Sequence, residues 1–402
     1  MYVAWADSGG LVMGYFDGST NALWNLAQQF TLADNFFQAA YGGSFLNHQY
    51  LICACAPPVW ASTVASNGMS INVLGPPRNG VPQLAANASQ AASALGGPTS
   101  FRTGNIAPRD YFGPGDGYRA VNTMQPAYQP SGNKPVDNVG NHGLYANPGA
   151  ATTLPPVLTQ KTIGDFLTAK GIDWAWYAGG WTAATANPYP YDPVTNTFGT
   201  STTIYNANSF GTSDASHSNF QAHHHPFNYF AVFDPVTHAA NRAAHLKDRA
   251  DLLAQAQAGT LPPVVFYKPV GFVNQHPGYA NLTNGDGEMA AIVSALQASP
   301  QWPHMLIVVT YDEFGGQYDH VPPPEGDLLG PATRIPALII SPFAKRGFVD
   351  HTQYDTASFI RFVTNRFSLP ILPGLTKRDN ALVSNGESVM GDLTNALNFS
   401  TP

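Results

Sequence analysis

The sequence predicts an α/β fold: a central, largely parallel sheet flanked by helices. Three observations predict it. Helix-like and strand-like stretches alternate along the chain. The apolar runs are short and bounded by turn residues. Chemically active side chains gather where those runs end, which is where ligands collect in open α/β sheets.

Taken in order, Ser19 or Thr20 caps a helix over residues 22–30. Thr162 caps a helix over 163–170, with Gly171 as its stop, and 173–177 follows as an aromatic strand. A helix over 244–258 ends at Gly259 and leads into a β-rich run at 263–267. Asp286 caps a helix over 288–298, and 305–311 follows as a buried strand. Residues 335–340 form another strand, and 352–367 the last helix. Residues 96–156 and 183–218 are rich in Gly, Pro, Asn, Ser, Thr and Tyr, and read as long loop or cap insertions. No repeat of 20–50 residues is present, which argues against a solenoid. The whole chain, 1–402, therefore reads as a single domain carrying two insertions.

Composition narrows the function classes. Charged residues are 11% of the chain, against roughly 25% in ordinary soluble domains. Apolar residues at 44% and aromatics at 12% allow a large core. Gly and Pro, at 38 and 34 residues, shape long loops without reaching a disordered composition. The net charge is −7, and no Lys/Arg run follows a phosphate backbone, so nucleic acid is not an expected partner. The longest apolar runs fall far short of the roughly 20 residues of a membrane span, so no transmembrane segment is expected. The two cysteines, Cys53 and Cys55, are one residue apart; a disulfide at that spacing would be strained and two thiols close no metal site. They read as two small buried residues. The first residues have neither the basic nor the apolar region of a signal peptide, and the sequence reads as beginning inside a domain.

Three segments carry chemistry. The first runs from Thr310 to His320, where an apolar strand ends in Asp312 and Glu313, followed by Gly315 and Gly316. Carboxylates at the end of a buried strand are costly unpaired, and a divalent cation would compensate both; a solvated turn is the plain alternative. The second is histidine. The chain has 12, with His223, His224 and His225 consecutive, His276 in an Asn-Gln-His-Pro-Gly loop, and His320 and His351 near the acidic motif. Imidazoles in loops suit metal binding, phosphate contacts or proton transfer to a leaving group. The third is Gly42-Gly43-Ser44-Phe45-Leu46-Asn47-His48, a turn leading into a helix, where backbone N–H groups can face an anion and a serine can act as nucleophile. Gly-Gly-Ser is also a common turn. Leu46 stands where the Gly-x-Ser-x-Gly elbow needs its second glycine, which counts against an α/β-hydrolase.

Together these segments resemble the bacterial phosphoesterase family of acid phosphatases and phospholipases C, within the alkaline-phosphatase-like superfamily. The matching blocks also include Thr31 to Phe37, Thr162 to Asp165 with Trp174 to Tyr177, and Arg334 to Ala337 through Ser341-Pro342 to Thr356. The resemblance implies Ser44 as the nucleophile and a metal contact, Asn47 as a phosphate-binding amide, and Asp312 and Glu313 as ligands of one divalent metal ion. It implies His223, His224 and His276 around the phosphate and leaving group: His223 and His276 on the catalytic side, His224 on phosphate. His225 stands where Gln is common, so the register of the triple run is open by one residue. His320 lies in the signature, and His351 is similar to a His-Thr motif of the superfamily, with a structural role at a helix start as its alternative. Such a set suits phosphoryl transfer, which needs a nucleophile, in-line geometry, positive charge on the equatorial oxygens and a proton for the leaving alcohol.

The resemblance implies small phosphate esters or phospholipids as substrates. Ser44 favours the acid-phosphatase branch, because phospholipases tend to have Thr there. It also implies a periplasmic or secreted location. One departure stands out: the family opens on a strand ending in a metal-binding Glu-Asn pair, which this sequence does not contain. The expectation is an N-terminally truncated domain lacking its first strand, with a non-catalytic remnant as the rival.

Overall fold

Strands buried on both faces must read as nearly continuous apolar runs, and Trp174–Ala178 does so with all five residues buried. In the computed structural model it is strand β6, the middle of a three-stranded parallel sheet. The structure describes residues 9–57, 126–128, 157–186, 220–277, 280–327 and 329–400, plus the backbone of short strands at 71–78, 81–84, 118–121, 191–192 and 197–198.

The chain order is α1 (Ala22–Gln29), β1 (Thr31–Ala33), β2 (Phe36–Phe37) and α2 (Ser44–Cys53). Next come β3 (Ile71–Arg78), β4 (Val81–Leu84) and β5 (Tyr118–Val121), then α3 (Ile163–Ala169), β6 and α4 (Trp181–Ala186). A hairpin of β7 (Tyr191–Asp192) and β8 (Thr197–Phe198) precedes α5 (Ala239–His245), β9 (Leu246–Asp248), α6 (Arg249–Ala258) and β10 (Val264–Lys268). The last third holds α7 (Leu282–Gln297), β11 (Ile307–Thr310), β12 (Ala337–Ile340), β13 (Phe348–Asp350), β14 (Tyr354–Asp355), α8 (Ser358–Phe367) and α9 (Pro373–Ser384).

Three sheets matter for the site. One is parallel, in the order β10-β6-β9. One has the order β11-β12-β1-β13, with β1 parallel to β13 and antiparallel to β12, and β11 antiparallel to β12. The third pairs β14 with β2 in parallel. Most ladders around the core are thus parallel, as the alternation of elements predicts. The largest core cluster lies between the first sheet and helices α2, α3 and α8, and is dominated by aromatic rings: Phe45, Trp174, Trp176, Phe227 and Phe266. Among the described residues, no helix is long and apolar enough to cross a membrane.

Five expectations are corrected. Residues 244–258 are not one helix. His245 ends α5, Leu246–Asp248 extends to pair with β6, and Asp248 then caps α6 in a capping box with Asp251. Asp286 does not cap its own helix: α7 starts earlier, with the Asn281 side chain accepting from the Asn284 N–H. Asp286 lies inside α7 and accepts the N–H groups of Ala22 (2.8 Å) and Leu23 (2.9 Å). It therefore caps α1, whose own N-cap residue Asn21 makes no side-chain cap bond, in place of Ser19 or Thr20. Cys53 and Cys55 are joined as a disulfide. The chain turns through a left-handed residue at Ala54 (φ 50°), and the Cα atoms come to 5.1 Å, inside the range a disulfide needs. Finally, the expected helix over 352–367 begins only at Ser358, because Tyr354–Asp355 pairs with β2.

Much of 96–156 and 183–218 lies outside the described residues; within them, β5 and the β7–β8 hairpin are short antiparallel pieces, and α4 runs over the first residues of the second stretch.

The cross-element cap gives a test. Asp286→Ala removes both acceptors from the first turn of α1 and should lower unfolding stability by about 1–2 kcal/mol in urea denaturation. An unchanged midpoint would mean that the first turn of α1 finds other acceptors.

Candidate active site

Three loops that leave the carboxyl ends of β2, β10 and β11 meet at one place. After β2, Gln38 to Gly43 leads into α2, with Ser44 at its first residue and extended Gly43 as N-cap. The first intrahelical bond runs from the Asn47 N–H to the Gly43 carbonyl, so the N–H groups ahead of it face outward from the helix start. Lys268 is the last residue of β10. Asp312 and Glu313 lie two and three residues beyond the end of β11.

The acidic pair and the serine are in contact. Ser44 Oγ donates to Glu313 Oε1 at 3.5 Å, and Glu313 Oε2 accepts from the Gly315 N–H. Lys268 Nζ donates to Asp312 Oδ1 at 2.8 Å. His48, one turn after Ser44, directs Nδ1 to the Ser44 carbonyl at 2.7 Å and stands 3.7 Å from Asp312 Oδ2. The His48 ring stacks on His224 with centroids 5.0 Å apart, and His223 packs against His224 at 4.1 Å. Gly315 holds a positive φ of 63°, and a Cβ there would meet Pro277, so glycine lets the acidic loop lie against the loop that carries His276.

Burial sets the protonation of this cluster. His48 is pushed down to about 4, first by burial and then by the Lys268 ammonium, with Asp312 opposing. His223 falls to about 3 through burial and the neighbouring His48. His224 and His225 lie well below the usual imidazole value, also through burial first. The two carboxyls diverge. Burial and the charge of Asp312 raise Glu313 to about 7. Burial alone would raise Asp312 too, but the Lys268 ammonium outweighs it and holds that carboxyl below the usual range.

The expected site residues divide into two groups. Ser44, Asp312, Glu313, His223 and His224 come together. His276 sits exposed, with Nδ1 on the Pro277 carbonyl, in the loop that Gly315 packs against. Asn47 differs from the expected phosphate contact. It is fully buried; its Oδ1 accepts from the Ala40 N–H, and its Nδ2 donates to the carbonyls of Ala40, Gly42 and Gly43. Its amide shapes the serine loop and leaves no donor for an anion. His225 points away into aromatic packing, 4.5 Å from the Trp181 ring. His320 is exposed and, among the described residues, makes no polar contact with the cluster. His351 is exposed with Nδ1 on Asp34 at 2.8 Å and, among the described residues, makes no polar contact with the cluster.

Three contributors were not singled out from the sequence. His48 carried a signal, four residues beyond Ser44 and hence on the same helix face. Lys268 carried another, a cation closing an apolar strand. Gln38 carried none: its Oε1 accepts from the Phe314 N–H at 2.8 Å while its Nε2 donates to the Ala40 carbonyl, tying the acidic block to the serine loop.

The donors that could hold a cation are Asp312, Glu313 and the Ser44 hydroxyl, all oxygen, as a hard divalent ion prefers. The buried Asp312 Oδ2 has no hydrogen-bond partner, which fits an ion there. Among the described residues no cluster of three His, Cys, Asp or Glu adds to this set.

A model of the phosphoesterase family matches residues 1–370. The chain belongs to the phosphoesterase family. It is similar to phospholipase C A of Mycobacterium tuberculosis, 27% identical over 194 residues, which are 42% of this chain and 36% of that protein. It is also similar to non-specific phospholipase C3 of Arabidopsis thaliana, 35% identical over 152 residues, 30% of this chain and 28% of that one. The chain thus matches about a third of the length of these curated relatives. Among solved structures, an alkaline phosphatase superfamily protein from Vibrio parahaemolyticus aligns over 92% of this chain and 63% of its own, with a TM-score of 0.35 and 10% identity.

The buried histidines predict acid sensitivity. In the folded protein His48, His223, His224 and His225 stay neutral well below 6.5, whereas in the unfolded chain they protonate near 6.5. The unfolded state then binds more protons, so stability falls as pH drops from about 6.5 toward 4, by roughly 1 kcal/mol per histidine per pH unit. Glu313, raised to about 7, works in the opposite direction, one group against four. Urea midpoints measured from pH 7.5 to 5 should decline steeply, and a flat profile would mean that the histidines are solvated.

Proposed function

We propose that this phosphoesterase hydrolyses phosphate esters by transfer of the phosphoryl group to Ser44 Oγ and later hydrolysis of the phosphoserine. The observation that carries this reading is the position of Ser44: first residue of a ten-residue helix, with its hydroxyl on Glu313 and with Asp312 and Lys268 beside it. The outward N–H groups of the helix start favour the incoming anion. Glu313 Oε1 is where the hydroxyl proton is directed. His223 and His224, neutral and buried beside His48, line the phosphate side. In this reading His276 gives a proton to the leaving alcohol.

One divalent ion, held by Asp312, Glu313 and Ser44, belongs to this proposal. When bound it supplies positive charge toward the phosphoryl oxygens and lowers the pKa of the serine hydroxyl. Asn47, Gln38 and Arg378 hold the serine loop. Arg378 is buried, pairs with Asp327 and Asp355 at 2.8 Å each, and donates to the Ala39 carbonyl at 2.7 Å.

The substrate class admits two readings. The serine of Gly-Gly-Ser supports a small phosphomonoester, as in the acid-phosphatase branch. The phospholipase C names of the relatives support phospholipid head groups. A periplasmic or secreted location goes with either.

Ser44→Ala should lower turnover of a chromogenic phosphomonoester by about 10³-fold or more while leaving the thermal midpoint unchanged. Activity retained in that variant would remove the covalent mechanism. Chelation followed by stepwise return of Mg²⁺, Mn²⁺, Ca²⁺ or Zn²⁺ should abolish and then restore turnover; activity indifferent to chelator would remove the cation. Rates on the monoester and on phosphatidylcholine vesicles, compared in one preparation, decide the substrate class.

A further inference from the structure

Lys268 has no role in the reading above beyond its neighbourhood. Its side chain is 15% exposed at the end of β10, and its Nζ donates to Asp312 Oδ1 at 2.8 Å. Among the described residues, no other Lys or Arg pairs with Asp312 or Glu313. An ammonium has three donors, and among the described residues Lys268 makes this one side-chain hydrogen bond. The other oxygen, Asp312 Oδ2, is buried without a hydrogen-bond partner, and His48 approaches it only to 3.7 Å. The same carboxylate therefore meets an ammonium on one oxygen and leaves the other open.

We propose that Lys268 is the resident cation of the site, holding Asp312 in the resting protein and turning to a phosphoryl oxygen when a divalent ion takes that carboxylate. The inference rests on the proposed phosphoester reading and deepens it. Two cations on one carboxylate repel, so ion and ammonium compete for Asp312. The competition is reciprocal: whatever Lys268 costs the ion, the ion costs the Lys268–Asp312 pair. The displaced ammonium keeps a flexible four-carbon stem and, as a point charge, suits a phosphate oxygen. Charge also balances. Asp312 and Lys268 are neutral together, and a divalent ion with a phosphate dianion adds no net charge to a buried site.

The competition separates this role from a structural one, because it moves two affinities in opposite directions. Calorimetry would titrate Mn²⁺ alone, inorganic phosphate alone, and phosphate in saturating Mn²⁺ into the wild-type chain, Lys268→Met and Lys268→Arg. The expected result is Mn²⁺ bound about tenfold tighter by Lys268→Met and phosphate, in the presence of Mn²⁺, bound about tenfold weaker, with Lys268→Arg recovering phosphate. Both affinities weakened together, with a lowered thermal midpoint, would make Lys268 a structural ion-pair partner and overturn the proposal. Both unchanged would overturn it as well. Wild-type protein that binds neither Mn²⁺ nor phosphate would overturn this inference and the phosphoester reading together, whereas wild-type binding that is unaltered in Lys268→Met defeats the inference alone.

Discussion

Two neighbouring carboxylates just past the end of β11 set the terms for everything around them. Side by side and only partly exposed, Asp312 and Glu313 do not both carry charge cheaply without a positive partner. The structure answers with a gradient. Asp312 is held ionised by Lys268, and Glu313 is pushed toward its protonated form with Ser44 on its oxygen. The strand ends, the loop glycine at 315 and the histidine layer over His48 are arranged around that difference.

The serine loop is fixed by groups drawn from across the chain. Asn47 ties down three of its carbonyls from one turn into α2. Gln38 links it to Phe314 beside the acidic pair. Arg378, from the last helix, reaches the Ala39 carbonyl while neutralised by Asp327 and Asp355. A buried charge is tolerable only when paired, and Arg378 lies between two carboxylates while it holds the loop that carries Ser44. Asn47, expected to touch phosphate, is thus engaged in holding the backbone that presents the nucleophile.

Local sequence marks an element only where its signal is local. Thr162 and Asp165 form their capping box three residues apart, and the helix they start is where the sequence puts it. Asp286 carries the same kind of signal, but its acceptors serve α1, more than 260 residues away. The Ala-rich stretch at 244–258 reads as one helix because nothing in it forbids continuity. It breaks because Leu246–Asp248 gains a ladder with β6, and that pairing exists only once the sheet is assembled. Cys53 and Cys55 close a disulfide because of the turn at Ala54.

By itself, the sequence determined the α/β class, the acidic pair at a strand end, the serine at a helix start and the histidine run, since each is written in contiguous residues and short-range physics. The family resemblance rests on the same blocks. Only the tertiary structure decided which of these meet. It brought Lys268 to Asp312 and His48 to His224, and it left His320 and His351 on the surface. The reason is physical: residues distant in sequence acquire a contact only when strand ends converge, and burial then fixes which of them are charged.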